Sequence, residues 1–323
     1  MHILITSAGR RVSLVRAFQT ELKLLVPNGK VFAADANPIA SAACNVADTS
    51  FKLPMINDDN YLECLLQVCL KNKISLIIPT IDNELSLLAL NRIKFEEYNI
   101  QIVVSSIEFI NKCRDKRNTQ TFFLSKNIRV AKEYTKDNYE FPLFIKPYNG
   151  SNSVDTYIIR SKQELNFTHF ENEKLMFLEY LDHETFDEFT CDLYYGRDNL
   201  LKCVVPRKRV FVRAGEVNKA VTVSDKLVPY LIERLKKIEG ARGCLTVQIF
   251  KCMTNNEKIY GIEINPRFGG GFPLTYLAGA NYPKWIIEEY VFGKKIVENF
   301  ECWEENLMML RYCDEILVRG HNS

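Results

Sequence analysis

A chain of 323 residues is long enough for two or three packed lobes rather than one small core. Its 47% hydrophobic and 25% charged residues are ordinary for a globular protein, and 42 basic against 40 acidic residues leave a net charge of +2. That balance excludes a general attraction for nucleic acid, so any basic site must be local.

Ten scattered cysteines with no Cys-x-x-Cys pair, and only four histidines, argue against a zinc framework. They read as buried free thiols, which favours a reducing cytoplasm. No apolar run reaches the length of a bilayer-spanning helix, so no membrane association is expected.

In chain order, residues 2–5 form an apolar run of β type, followed by the turn Ser7-Ala8-Gly9-Arg10-Arg11. Residues 12–25 predict a helix with Val12, Val15, Phe18 and Leu22 on one face. Residues 31–34 predict a strand, 61–71 a helix, and 75–78 and 102–104 further strands. This alternation implies a parallel sheet with right-handed crossovers, so residues 1–105 are expected to form an α/β Rossmann-like lobe.

The pattern then changes. Residues 107–125 predict one charged helix. Residues 141–146, 156–160, 175–180, 188–195, 200–206 and 217–223 are strand-like. Helices are expected at 226–238 and 282–292, a hairpin of two long strands at 244–252 and 258–264, and closing strands at 308–312 and 316–318. This describes an α+β region built on antiparallel sheet.

The densest chemistry lies in Glu263-Ile264-Asn265-Pro266-Arg267-Phe268-Gly269-Gly270-Gly271. Residues two apart on a strand share a face, so Glu263 and Asn265 point the same way. Both offer oxygen ligands suited to Mg²⁺. Arg267 adds a forked cation suited to phosphate, and the glycines let backbone approach a ligand closely. In the hairpin, Gln248 falls beside Glu263.

A second signal is Lys146, a lysine inside the apolar run 141–147. A buried ammonium is expensive without a partner, and a nucleotide phosphate is a fitting one. The loop Asn149-Gly150-Ser151-Asn152-Ser153 follows, small enough to cover phosphates with backbone N–H groups. Lys116, thirty residues upstream, reads by itself as part of a charged helix face. Glu179, Tyr180 and Leu181 end a strand where backbone could read an adenine edge, and Glu188 could accept from ribose hydroxyls.

Residues 206–216 carry a basic cluster in which Arg209 and Arg213 are the favoured contacts for an anion, ahead of Lys208. In the N-terminal lobe, ligands bind at the carboxyl ends of strands. Gly9 and Arg10 lie at one such end. Asp82 and Glu84 lie at another and are candidates for a substrate amine, unless Asp82 merely caps a helix. Asp35 sits where a dinucleotide fold binds ribose, but the first turn lacks Gly-x-Gly-x-x-Gly, so a nicotinamide dinucleotide site is weakly supported.

The order of these elements resembles the ATP-grasp superfamily: lysine, lysine with a small-residue loop, Glu-x-Leu, Asp-Glu-Phe-Thr, Gln, then Glu-x-Asn-Pro-Arg. The pattern looks closest to the ATP-binding half-domain of the carbamoyl phosphate synthetase large chain, and is similar in plan to biotin carboxylase and D-alanine–D-alanine ligase. The resemblance implies a pre-ATP-grasp lobe at 1–105, a small lid subdomain at 106–178 and a large subdomain at 179–323, the last two each built on an antiparallel sheet.

It further implies ATP with Mg²⁺, or Mn²⁺ in its place, and ADP-forming carboxylate–amine ligation of small molecules. A homodimer, common among such relatives, would fit. By residue, the resemblance puts Lys116, Lys146 and Ser151 on phosphates, Glu179, Tyr180 and Leu181 on adenine and Glu188 on ribose. It puts Glu263, Asn265 and Gln248 on the metal, and Arg267 with Arg209 and Arg213 on the transferring phosphoryl group or acyl phosphate. An acid is common at the Gln248 position in such proteins, so a silent nucleotide-binding scaffold is the rival reading.

Overall fold

The computed structural model describes residues 1–150, 154–213 and 215–319. The N-terminal region runs β1 (His2–Thr6), α1 (Val12–Leu25), β2 (Lys30–Asp35), α2 (Ala42–Val46), β3 (Thr49–Lys52), α3 (Tyr61–Lys71), β4 (Ile74–Pro79), α4 (Asp82–Glu96) and β5 (Gln101–Ile102). The five strands form a parallel sheet in the order β3-β2-β1-β4-β5. Strands β1, β2 and β4 are apolar on both faces because helices cover both. The short edge strand β3, largely exposed, was not legible as a strand.

Next come α5 (Ile107–Arg114) and α6 (Lys116–Ser125). The single helix expected at 107–125 is thus interrupted. Asp115 adopts an extended backbone, and its carboxylate accepts the Arg117 N–H, so it caps a new helix. A four-stranded antiparallel sheet follows, from β6 (Glu133–Tyr134), β7 (Leu143–Pro147), β8 (Tyr157–Ile159) and β9 (Leu175–Glu179), in the order β6-β9-β7-β8. A short helix, α7 (Phe167–Glu171), leads into β9.

The largest sheet has six strands: β10 (Phe186–Tyr195), β11 (Leu201–Arg213), β12 (Glu216–Thr222), β13 (Gly243–Cys252), β14 (Ile259–Asn265) and β15 (Met308–Leu310). Their order is β14-β13-β10-β11-β12-β15, all antiparallel. Helix α8 (Leu227–Leu235) packs against it, with α9 (Phe272–Leu277) and α10 (Tyr282–Tyr290) following β14. The closing strand expected at 316–318 is absent. Leu317 is exposed there and no strand pairs with it.

Two cores position the cleft. Ile3, Ile5, Val15 and Phe18 of the parallel-sheet region pack with Tyr194, Val205, Phe268, Phe272 and Tyr282. This brings the carboxyl ends of β1 and β4 against the turn after β14. On the other face of the large sheet, Phe109 and Phe123 pack with Cys191, Leu245 and Val247. That contact places α6 beside β14, with the Phe123 ring against Gly261. All ten cysteines are free, six of them buried, in keeping with a role as small apolar residues.

Candidate active site

A cleft of about 990 Å³ opens between the two antiparallel sheets and is closed at one end by the parallel-sheet region. Lys116, Lys146, Glu179, Tyr180, Leu181, Glu188, Arg209, Gln248, Glu263, Asn265, Arg267 and Asp82 all line it. Residues scattered over almost two hundred positions therefore share one wall-to-wall space.

The central wall comes from β13 and β14. Gln248 and Glu263 are direct cross-strand partners. Gln248 Nε2 donates to Glu263 Oε1 at 2.8 Å, and Asn265 Nδ2 donates to the same oxygen at 2.9 Å. Glu263 is the only carboxylate of this trio. Among the described residues no group of three His, Cys, Asp or Glu side chains could hold a metal. The set is one carboxylate and two amides, which fits Mg²⁺, an ion commonly held by one or two carboxylates plus substrate phosphates. A cation held by all three side chains requires both amides to turn their oxygens toward it.

Facing this wall, β7 delivers Lys146, which is only 8% exposed. Burial pushes its ammonium down to about 8, the charge of Glu263 pulls it back up, and Lys116 opposes it. Lys116, the first residue of α6, donates to the Gly150 carbonyl, and burial holds its ammonium below the usual value. Lys146 has only Glu263 as a carboxylate acting on it, while Glu263, Asp115 and Asp82 act on Lys116; two desolvated ammonium groups side by side suit a bound anion. Ser151 lies outside the described residues.

An apolar slot lies between the sheets. Ala131, Leu178 and Leu181 pack there with Phe144, Phe250 and Ile262. A planar base fits this lining, with backbone at Glu179 to Leu181 along its rim. Glu179 itself accepts the Lys132 N–H at 3.2 Å. The aromatic members were not legible in the sequence, since a Phe on a half-buried strand is ordinary core.

Glu188 and Arg209 form an ion pair of 2.6 Å inside the cleft. Burial raises the Glu188 carboxyl and Arg209 counters it. Lys208 points the other way and pairs with Asp187. Arg213 does not enter the cleft. The irregular register of β11 between Arg209 and Val212 leaves it exposed at the strand end, which corrects the expectation of an anion contact there.

Arg207 is the residue of that cluster which does line the cleft. It is fully buried and donates from Nε to Asp192 at 2.9 Å. Strand alternation from Arg209 was the signal that could have found it. Its two terminal nitrogens have no hydrogen-bond partner among the described residues. A Cβ added at Gly271 would stand 2.1 Å from Arg207 Nη1, and one at Gly269 2.8 Å from Thr246 Oγ1. Glycine is required at both places for close approach.

The N-terminal candidates divide sharply. Asp82 faces the cleft and binds Arg267, so it is not a cap; Ile81 occupies the cap position of α4. Glu84 is corrected as a substrate ligand. It is fully buried and accepts hydrogen bonds from Tyr61 Oη and Ser7 Oγ, while burial raises its carboxyl.

Gly9 is corrected too: its N–H donates to Asp35 Oδ2 at 2.9 Å and it does not line the cleft. That contact also occupies Asp35, further weakening a ribose role. Arg10 is exposed away from the cleft, and its neighbour Arg11 enters instead. Turn geometry alone decides between adjacent arginines, so no sequence signal could separate them.

Comparison with known proteins supports the same fold. The family described as "PylC-like, N-terminal domain" matches residues 3–103, and "ATP-grasp in the biosynthetic pathway with Ter operon" matches residues 171–306. A D-alanine–D-alanine ligase of Clostridium perfringens is 27% identical over 155 residues, 43% of this chain and 50% of that protein. The chain thus spans about half the length of the curated relatives it matches.

A biotin carboxylase from Campylobacter jejuni superimposes with a TM-score of 0.71 at 13% identity, over 95% of this chain and 74% of that one. The N5-carboxyaminoimidazole synthetase of Staphylococcus aureus, complexed with ADP, gives 0.68 at 17% identity, over 92% of this chain and 78% of that one. At such identities these two likenesses establish architecture alone. With these two partial family matches and a cleft of this build, the chain has an ATP-grasp fold and is similar to ATP-grasp proteins.

Proposed function

We propose that the chain is an ADP-forming ligase that phosphorylates a small-molecule carboxylate with Mg-ATP and couples the acyl phosphate to an amine or similar nucleophile. One observation carries this reading. Lys146 on the small sheet and Glu263 on the large sheet face a single cleft, near enough for the carboxylate to favour the buried ammonium. An ammonium that close to a cation-binding carboxylate suits a triphosphate lying between them.

In this reading Lys116 and Lys146 hold phosphates, and the slot of Phe144, Phe250 and Ile262 holds adenine. Glu188 meets the ribose. Mg²⁺ on Glu263, with Asn265 and Gln248, supplies charge neutralisation on the phosphates. Arg267 faces the γ-phosphate. Phosphoryl transfer asks mainly for positioning and charge stabilisation, which these residues provide. The lid subdomain over the cleft keeps water from the acyl phosphate. The division at 1–105, 106–178 and 179–323 belongs to the same proposal.

Two similar proteins support the chemistry, a D-alanine–D-alanine ligase and an N5-carboxyaminoimidazole synthetase. The test is direct. Purified protein is given Mg-ATP, panels of carboxylates and hydroxylamine. ADP release together with a hydroxamate product supports an acyl phosphate. MgADP binding without turnover across amine and carboxylate panels would favour the scaffold reading, which the single carboxylate of the Gln248, Glu263 and Asn265 trio keeps open.

A further inference from the structure

One corner of the cleft holds an excess of guanidinium groups, of which only Arg267 is used by the proposed phosphate contacts. Arg11 enters from the turn after β1. Among the described residues its Nη2 donates only to the Thr80 carbonyl, at 3.3 Å, and it makes no ion pair with any described carboxylate. A Cβ built on Gly270 would have Arg11 Nη1 as its nearest neighbour, at 3.9 Å, so the group borders the glycine turn with room before it.

Two further arginines reach the same turn. Arg267 is held by Asp82 at 2.7 Å. Arg311, just beyond β15, donates to the Gly270 carbonyl and pairs with Glu216 at 3.0 Å. Three arginines against the carboxylates of Asp82 and Glu216 leave one positive charge uncompensated. Arg207 and Asp192 behind Gly271 form a neutral pair and do not change that balance. Burial lowers the Arg11 guanidinium to about 10; Arg267 and Arg311 push the same way, and Glu216 and Asp82 oppose them. A cation so placed gains from a bound anion.

We propose that Arg11 seats a second carboxylate of the substrate, distinct from the one that is phosphorylated, so that the accepted acid is a small dicarboxylate. This rests on the ligase reading for the neighbouring phosphate site. A single uncompensated charge matches a monoanionic carboxylate better than a doubly charged phosphate. The guanidinium fork matches a carboxylate in geometry. The nearby carboxylates of Asp82 and Glu216 disfavour a more highly charged group. The turn of Gly269, Gly270 and Gly271 allows a small ligand to lie against backbone.

The test is thermal shift and calorimetric titration of the full chain with succinate, glutarate, butyrate and inorganic phosphate, each with and without MgADP. Succinate or glutarate should bind, and butyrate and phosphate should bind at least tenfold more weakly. Arg11→Gln should weaken dicarboxylate binding about tenfold or more, the scale of one charge-assisted contact. Arg11→Lys should recover part of that loss, and Arg10→Gln should have no effect. The Arg11 side chain makes no cap hydrogen bond to α1, so these variants should fold.

Equal binding of butyrate or phosphate, unchanged dicarboxylate binding in Arg11→Gln, or no response to either dicarboxylate would each overturn the assignment. A missing MgADP response with dicarboxylate binding intact would instead sink the nucleotide reading and leave the Arg11 seat in place.

Discussion

Arg267 and Asp82, 185 residues apart, form an ion pair in which Nη2 lies 2.7 Å from Oδ2 and Nε lies 3.2 Å from the same oxygen. The arginine expected to face phosphate is thus aimed by a carboxylate from the parallel-sheet region. Nη2 also reaches Asn265 Oδ1 at 3.3 Å, which links the pair to the wall of Gln248, Glu263 and Asn265.

Arg267→Ala should lower ADP formation by roughly 10²–10³-fold, the usual cost of removing one electrostatic stabiliser of a transition state. Asp82→Asn should cost less, because the cation remains and only its aim is loosened. Steady-state ADP release with the true substrate checks both. Near wild-type turnover in Arg267→Ala removes that residue from the mechanism.

Lys146 determines a pH dependence. Its ammonium is held near 8 in the free protein, against an ordinary value of 10.5. Below pH 8 the group is charged in folded and unfolded chain alike, and the burial penalty is fully present. Between about 8 and 10.5 the unfolded chain binds more protons, so this residue's contribution to stability rises with pH. Nucleotide affinity should move oppositely, falling by up to tenfold per pH unit above 8 as the cation is lost. Lys146→Met should abolish that slope, weaken MgADP binding, and stabilise the free protein by about 1–3 kcal/mol. Calorimetric MgADP titrations from pH 7 to 9.5, alongside denaturation curves, read all three effects.

Gln248→Glu should convert the trio around Glu263 into a two-carboxylate site. The new carboxylate would replace a 2.8 Å hydrogen bond with repulsion, so the metal-free protein should lose about 1–2 kcal/mol. Divalent cation affinity should rise about tenfold or more, since Mg²⁺ favours added carboxylate charge. Mn²⁺ titration with and without ADP, compared with thermal unfolding in a chelator, separates the two. A variant that binds Mn²⁺ no better argues against this wall as the cation site.

Glu84 offers a control away from the chemistry. Burial raises its carboxyl, so the folded state holds the proton to higher pH than the unfolded chain. Its stabilising effect is fully present below the unfolded value of 4.5 and is lost as pH rises through the folded one. Glu84→Gln should keep full activity and be at least as stable as wild type, in contrast to Glu84→Ala, since the neutral amide avoids burying a charge and its oxygen still accepts a hydrogen bond. Glu84→Ala should cost about 1–3 kcal/mol by stranding Tyr61 Oη and Ser7 Oγ. Urea denaturation and ADP release measure the two halves, and lost activity in a well-folded Glu84→Gln would return this residue to the substrate.

The legible parts of this protein share a short range. Period-two alternation and the turn at Pro266 sufficed to set Gln248 opposite Glu263, with Asn265 on the same face. A lysine in the apolar run of β7 announced its own need for an anion. These features depend on a few neighbouring residues and on the desolvation of one charge, so composition and spacing determined them.

The rest was decided by how the three sheets pack. Arg11 rather than Arg10 reaches the cleft because of a turn, and Arg213 misses it because of an irregular register in β11. Asp82 meets Arg267, and Arg311 meets Gly270, only once distant elements close on a common core. Backbone preference reaches a few residues along a chain. Which charge faces which across a cleft is set by burial summed over the whole molecule, and that was available only from the tertiary structure.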